Sequence, residues 1–371
     1  MKEIAGRYAT AVVYTDIIEE QASEQIRTLC DQPFAQGCSI RIMPDVHAGK
    51  GCVVGFTADL GARVIPSIVG VDIGCGMLTI ELGREPVDFE ELDRIIRAHV
   101  PAGNSVHNSP QTKFVMLEEL ACREYLKKIE RLHSSIGTLG GGNHFIEVDA
   151  DDTGMQYLVI HTGSRNLGRQ VADHYIREAG KQLKEQIDAG LPRELCWLEG
   201  ELREAYLHDM RICQTFAAEN RRAIAQAILT RLTGKPLEAF PSFETVHNYI
   251  DSQDGVIRKG AVSAKVGERL LIPINMRDGS LICIGKGNPA WNCSAPHGAG
   301  RLFSRSEACE KFTVEAYREA MKGIFTTSVG SDTLDECPMA YKPMESIVRN
   351  IAPTVEIERV IRPLYNFKAG Q

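Results

Sequence analysis

Short apolar runs divided by Gly, Pro and Asp occupy the first eighty positions. Residues 10–14, 51–56, 64–71 and 77–82 read as strands bounded by turn formers. The period then changes: Phe89, Leu92, Ile95 and Ile96 recur at helical spacing and predict a helix over 87–99. Phe114, Leu117, Leu120 and Tyr125 predict another over 111–133, and strands return at 145–149 and 156–161. From about Leu167 to Leu232 the pattern is helical again, and Pro192 and Gly200 divide it into two helices. The second carries a stripe through Leu202, Tyr206, Met210, Cys213, Phe216, Ile224 and Ile228. We read the pair as a hairpin packed against a sheet rather than as a partner-binding element. After Gly234-Lys235-Pro236 the chain reads as strands at 255–262, 269–274, 280–284 and 356–363, with one helix near 306–323.

Composition narrows the class. An apolar share of 43% and a charged share of 25% over 371 residues suit a globular protein with a large core. No apolar run is long enough to span a bilayer, and the first seven residues lack the apolar region of a secretory signal, so no membrane partner is expected. The 11 cysteines form no Cys-x-x-Cys pair and, being odd in number, suit reduced thiols better than a disulfide framework. The expected location is therefore cytoplasmic. A net charge of −7 argues against a surface coated for nonspecific nucleic-acid binding. It leaves room for an enzyme that grips a strand end through a local basic pocket.

The candidate chemistry starts at Val71-Asp72-Ile73-Gly74-Cys75-Gly76, where apolar flanks predict a buried carboxylate and thiol. Four histidines sit in turn-like settings: His144 in Gly-Gly-Asn-His-Phe, His161 in His-Thr-Gly-Ser-Arg, His247 in Val-His-Asn and His297 in Pro-His-Gly-Ala-Gly-Arg. Thiolate, carboxylate and imidazole together suit a borderline divalent metal, and one bridging thiolate can serve two metals about 3.5–4 Å apart. His99, His107, His133, His174 and His208 read as structural or exposed. The ligands lie on both sides of the helical hairpin, so we expect one integrated α+β domain over residues 1–371, with the hairpin at about 167–232 inside it. His297 precedes Gly298-Ala299-Gly300-Arg301, with Ser304-Arg305 behind. This run reads equally as a phosphate cradle, whose histidine is a ligand, base or nucleophile, and as a glycine-rich surface turn. Arg258-Lys259-Gly260-Ala261 and Gly163-Ser164-Arg165 offer further anion contacts or ordinary surface charge pairs. Gly285-Lys286-Gly287-Asn288 lacks P-loop spacing, and no Rossmann fingerprint is present.

Four motifs in order across the chain carry a resemblance: Met43-Pro44-Asp45-Val46-His47-Ala48-Gly49-Lys50-Gly51, Val71 to Met77, Gly142-Asn143-His144-Phe145 and His297 to Arg301. Together they resemble the RtcB family of RNA ligases. The resemblance implies an RtcB-like domain with mixed sheets around a metal centre. It also implies an enzyme that uses GTP and two Mn2+ ions to join an RNA 3′-phosphate or 2′,3′-cyclic phosphate to a 5′-hydroxyl, in tRNA splicing or RNA repair. By the same resemblance, Cys75 bridges the two metals, His144 and His161 complete one site, and Asp72 and His247 complete the other. His297 is then the nucleophile that carries GMP, which passes to the 3′-phosphate as RNA-(3′)pp(5′)G. Glu147 matches the guanine-reading carboxylate, and Asn248, Ser280, Gly298, Ala299, Gly300, Tyr341 and Lys368 match the guanylate pocket. Asn143, Arg165, Lys259 and Arg301 fall where phosphate or the RNA end is handled. An accessory activating protein is a further implied partner.

Two departures accompany the match. The family's Pro-Gly-Ser-Met-Gly loop is Pro273-Ile274-Asn275-Met276-Arg277-Asp278-Gly279 here, so Asn275 replaces a nucleotide-contacting serine. The chain is also short and resembles the family's compact bacterial paralogs. Two other expectations stand beside ligation: a two-metal phosphoesterase acting on RNA ends, and a non-catalytic RNA-end sensor.

Overall fold

Period-2 alternation gives the longest strands two different faces. In the computed structural model, which describes residues 1–369, strands Gly76–Gly83, Phe145–Ala150, Gln156–Thr162 and Val355–Lys368 lie side by side. Leu78, Ile80, Ile146, Val148, Leu158, Ile160, Tyr365 and Phe367 close one face against Leu92, Ile95 and Ile96 of helix Phe89–His99 and Ile224, Ile228 and Leu229 of helix Gly200–Thr233. The alternate residues, Met77, Thr79, Glu147, Asp149, His161, Asn366 and Lys368, occupy the other face. Its register runs Met77, His161, Phe145, Lys368 across four strands. One face is thus core and the other carries chemistry.

These strands belong to an eight-stranded sheet completed by Arg269–Asn275, Gly279–Gly285 and Ser242–Val246, with Phe325–Thr326 pairing beside the last long strand. A six-stranded sheet holds Lys2–Ala5, Thr10–Val13, Arg41–His47, Val54–Ala58, Ile257–Lys259 and Asn248–Ile250. A two-stranded ladder pairs Ala261–Ser263 with Ser294–Pro296. The expected helical hairpin is present as Arg165–Gln182 and Gly200–Thr233, joined across Tyr175 and Tyr206, whose rings meet edge to face at 5.2 Å. Among the described residues, no helix is long and apolar enough to cross a membrane. The fold is α+β, as the pattern indicated.

Several element assignments change. Residues 64–71 are not a strand: Val64 makes an isolated bridge and Pro66 starts the short helix Pro66–Val69, which Gly70 ends at φ 85°. The 111–133 stretch is no continuous helix. It forms 3-10 turns Val115–Glu119 and Arg123–Tyr125, and then Ile129–His133 after Lys128 at φ 56°. Phe114, Leu117 and Leu120 are spaced by three, which satisfies a 3-10 turn as well as an α-helix, and all three are buried. The 255–262 run is two strands in two sheets, broken at Gly260, and the 306–323 helix is two, Arg305–Lys311 and Val314–Ala320, because Thr313 caps the second. Helices Glu20–Cys30 and Met344–Ile351 and strand Arg41–His47 were not read from the pattern.

Candidate metal centre and nucleotide cavity

The candidate residues meet where the three sheets converge. Cys75 ends a tight turn in which its amide donates to Asp72 O at 3.1 Å, and the Gly74 amide donates to Asn248 O at 2.9 Å. Gly74 adopts φ 73°, and a Cβ there would lie 2.9 Å from Gln214 Cα in the long helix. That helix also braces the turn from behind. Arg221 is buried, donates to Gly74 O and Thr162 O at 3.0 Å each, and pairs with Glu244 at 3.3 Å. Its neighbour Asn220 accepts from the Gly137 and Thr138 amides and donates to Gly163 O. Two polar side chains of one helix therefore hold the loops that bear Cys75, His144 and His161.

Cys75 Sγ, 2% exposed as a residue, lies 3.3 Å from His161 Nε2 and 3.5 Å from His144 Nε2. His161 Nε2 lies 3.4 Å from His247 Nε2, and one ligand atom each from Cys75, His161 and His247 fall within 4.8 Å of one another. His144 Nδ1–H donates to Leu139 O at 2.9 Å and His161 Nδ1–H donates to Asn143 O at 3.0 Å. A carbonyl can only accept, so both ring protons sit on Nδ1 and both Nε2 lone pairs point at the thiol. Burial pushes His144 and His247 well below the usual histidine range and His161 to about 3, which makes all three neutral at physiological pH. Burial, and then the Asp72 charge, pushes the Cys75 thiol up. His247 Nδ1 has no hydrogen-bond partner among the described residues. The single thiol proton can serve only one of these lone pairs, whereas a borderline divalent ion in its place would draw on the sulfur as thiolate and on the neutral imidazoles together.

Asp72 differs from expectation. It is exposed, and it stands outside the Cys75, His161 and His247 cluster. The turn directs Ile73 into the apolar core instead, so the carboxylate is carried outward.

His297 continues the row of imidazoles: ring centroids step 5.4 Å from His144 to His161, 5.1 Å to His247 and 4.9 Å to His297. Asp45, fully buried, accepts at Oδ2 from the His297 amide at 3.2 Å and from Nδ1–H at 2.6 Å, leaving the Nε2 lone pair free. The two segments are locked together. A Cβ on Gly300, at φ 75°, would lie 2.1 Å from Asp45 O, and Lys342 Nζ donates to Pro44 O and Val46 O at 2.9 Å each. The glycine run is therefore a packed loop and not a free surface turn.

A cavity of about 480 Å³ opens beside this row, a size suited to a small-molecule ligand. His161, His247 and His297 line it together with Asn143, Glu147, Gly298, Ala299, Gly300, Arg301, Tyr341 and Lys368. Burial raises the Glu147 carboxyl to about 7, although Asn366 donates to it and Lys368 stands nearby. Four expected contacts are not among the lining residues. Asn248 Oδ1 accepts from the Gly260 amide at 2.9 Å, and the Ser280 hydroxyl is buried without a partner among the described residues. Lys259 is buried, with Nζ donating to Lys50 O at 2.6 Å. The Arg165 guanidinium fills a notch that a Cβ on Gly140 would block at 1.8 Å, donates to Thr138 Oγ1 and Gly103 O at 3.3 Å, and lies 3.5 Å from His144 Nδ1. In the altered loop, Asn275 Oδ1 accepts from the Arg277 and Asp278 amides, so this side chain closes its own turn while it lines the cavity together with Pro273, Ile274 and Met276.

Sequence reasoning attached no role to Asp45, Asn220, Arg221 or Glu336. For Asp45 a signal existed: a carboxylate inside the apolar run Ile42-Met43-Pro44-Asp45-Val46 demands a buried partner.

Comparison with known proteins shows the family. The family model described as tRNA-splicing ligase RtcB matches residues 25–124 and 115–369. The RNA-splicing ligase RtcB of Escherichia coli K12 is 32% identical, with 93% of each chain covered. The tRNA-splicing ligase RtcB of Pyrobaculum aerophilum is 26% identical over 96% of this chain and 92% of its own. The RNA-splicing ligase RtcB of Mycobacterium tuberculosis is 28% identical over 82% and 90%.

Proposed function

The chain belongs to the RtcB family, and on that premise we propose that it is an RNA ligase joining 3′-phosphate or 2′,3′-cyclic phosphate ends to 5′-hydroxyl ends with GTP and manganese. The observation that carries this reading is the row of imidazoles. Three neutral rings gather around one buried thiol, and the fourth, His297, stands next in line with its Nε2 lone pair free at a nucleotide-sized cavity. A metal site adjoining a prepared nitrogen nucleophile suits phosphoryl transfer to histidine.

In the first step His297 Nε2 attacks the α-phosphorus of GTP. An N–P bond forms, the bond to the β-phosphate oxygen breaks and pyrophosphate leaves. Asp45 keeps the proton on Nδ1 and stabilises the positive charge that grows on the ring. An oxygen of the RNA 3′-phosphate, freed by water where the end is cyclic, then takes the GMP group and breaks the N–P bond. The 5′-hydroxyl attacks the activated 3′-phosphate, loses its proton and expels GMP. Manganese would be held at Cys75 with His144 and His161, and beside it with His247 and with Asp72, whose exposed carboxylate would have to turn inward to bind, and it would supply positive charge to the transferring phosphoryl oxygens. Glu147, Tyr341 and Lys368 take the guanine, Asn143 and the Gly298–Gly300 backbone take the phosphates, and Arg301 meets the RNA end. Asn248 and Ser280 support the nucleotide pocket from behind its wall, and Arg165 and Lys259 brace the loops around the RNA end. The proposed setting is tRNA splicing or RNA repair in the cytoplasm, with or without an accessory activating protein.

Incubation with labelled GTP and manganese should leave acid-labile, alkali-stable label on His297. RNA with a 3′-phosphate and a 5′-hydroxyl should be joined only when both are supplied. Undiminished labelling of His297→Ala, with bound manganese unchanged, overturns the assignment. The Asn275 side chain, committed to its own turn, favours one second reading, a two-metal phosphoesterase on RNA ends. Release of inorganic phosphate without GTP consumption or joined product would select it.

A further inference from the structure

Glu336 lines the same cavity, 3% exposed, and each of its two oxygens serves a different group of side chains. Oε2 accepts from the Tyr341 hydroxyl at 2.6 Å and from Lys368 Nζ at 2.9 Å. Oε1 accepts from Arg305 Nη1 at 2.7 Å and from Arg301 Nη1 at 3.3 Å. Burial works to raise this carboxyl, yet Lys368, Arg305 and Arg301 overcome it and hold the group at about 2. It is therefore a carboxylate at every physiological pH.

The donors come from three separate parts of the chain. Lys368 ends the last strand of the large sheet, Arg301 and Arg305 follow the His297 loop, and Tyr341 follows the short turn Pro338–Ala340. Arg301 also lies over the Tyr341 ring at 5.2 Å, and its Nε donates to Phe303 O at 3.0 Å. Arg305, which is exposed, also pairs with Asp335, and Arg301 Nη2 also donates to Asp335 O, so what Glu336 adds is the one carboxylate that joins these arginines to Lys368 and Tyr341. Long cationic side chains otherwise sample many rotamers, so a shared acceptor is what sets their geometry before a ligand arrives.

We propose that Glu336 is a positioning residue that ties the base-binding side chains, Tyr341 and Lys368 at Oε2, to the RNA-end-binding Arg301 and its neighbour Arg305 at Oε1. This rests on the ligase reading for the identity of the two ligands. One carboxylate then presets both halves of the cavity, and disturbing it weakens binding of the nucleotide and of the RNA end together. A residue that merely stabilises the fold would lower the melting temperature and leave the folded protein's affinities unchanged.

The test uses the full chain loaded with manganese, well below its melting temperature. GTP affinity is measured by calorimetry, and affinity for a 3′-phosphate oligonucleotide by fluorescence anisotropy. Glu336→Gln is expected to weaken both by 10-fold or more. Glu336→Asp keeps the charge and guards against a folding failure. Drawn back by one methylene, its carboxylate cannot reach both groups of donors at once, so at least one affinity should fall. Wild-type affinities for both ligands in either folded variant overturn this inference alone. Absence of GTP binding by the wild-type protein overturns the ligase reading, and this inference with it.

Discussion

Replacing Asp45 with Asn tests the nucleophile most directly. Asp45 is fully buried and touches His297 twice through Oδ2, at the backbone amide and at Nδ1, while Oδ1 has no hydrogen-bond partner among the described residues. Asparagine retains the shape and can keep its oxygen toward both donors, with its NH2 in the space of Oδ1. The charge is what disappears. A hydrogen bond to a charged group contributes about 1.5–3 kcal/mol and a neutral one about 0.5–1.5, so the ring cation formed on attack loses roughly 1–2 kcal/mol of stabilisation. At about 1.4 kcal/mol per decade, guanylylation of His297 should slow about 5- to 30-fold. If the amide instead turns its NH2 toward Nδ1, the ring proton moves to Nε2 and the loss is far larger, as in triads whose orienting aspartate becomes asparagine. Single-turnover labelling with radioactive GTP at saturating manganese measures the rate. Bound manganese should not change, because Asp45 is no part of the thiol cluster. Labelling at the wild-type rate would refute the role given to the Asp45–His297 contact.

Cys75→Ala removes the atom shared by the imidazole cluster, so equilibrium dialysis should show manganese lost before any change in far-UV circular dichroism; full retention would remove the thiol from the ligand set. Gly300→Ala places a Cβ 2.1 Å from Asp45 O at a left-handed residue. Urea unfolding should show a loss of about 2 kcal/mol or more, with guanylylation impaired, and an unchanged midpoint would contradict the packing described. Glu336 adds a pH dependence. Its folded value of about 2 lies below the ordinary 4.5, so its stabilisation is complete above about pH 4.5 and is lost as pH falls toward 2. The amount is about 3 kcal/mol at 1.36 kcal/mol per unit. Urea titrations at pH 5, 3.5 and 2.5 should show a steeper loss for the wild type than for Glu336→Gln, and parallel losses would contradict it.

Local sequence determined the period of each long element, the turn chemistry between elements and the residue types available for catalysis. Alternation alone separated Ile146 and Val148 from Glu147, and Leu158 and Ile160 from His161, because a pleated strand offers only two faces. The thiol and histidines stood out as ligands because few other roles suit them in glycine-rich turns. Where spacing fitted two geometries, as with Phe114, Leu117 and Leu120, sequence could not choose, since helix type there depends on what the turns pack against.

Tertiary structure decided which polar groups meet. It turned Ile73 inward and left Asp72 exposed, committed Lys259 and Asn248 to backbone contacts, and brought Asp45 to His297 across 252 residues of chain. The reason is energetic. A buried charge must find its partner wherever the sheets bring one, and that partner is set by long-range packing rather than by neighbours in sequence. Sequence named the chemical groups of this site, and the junction of three sheets decided which of them act on one another.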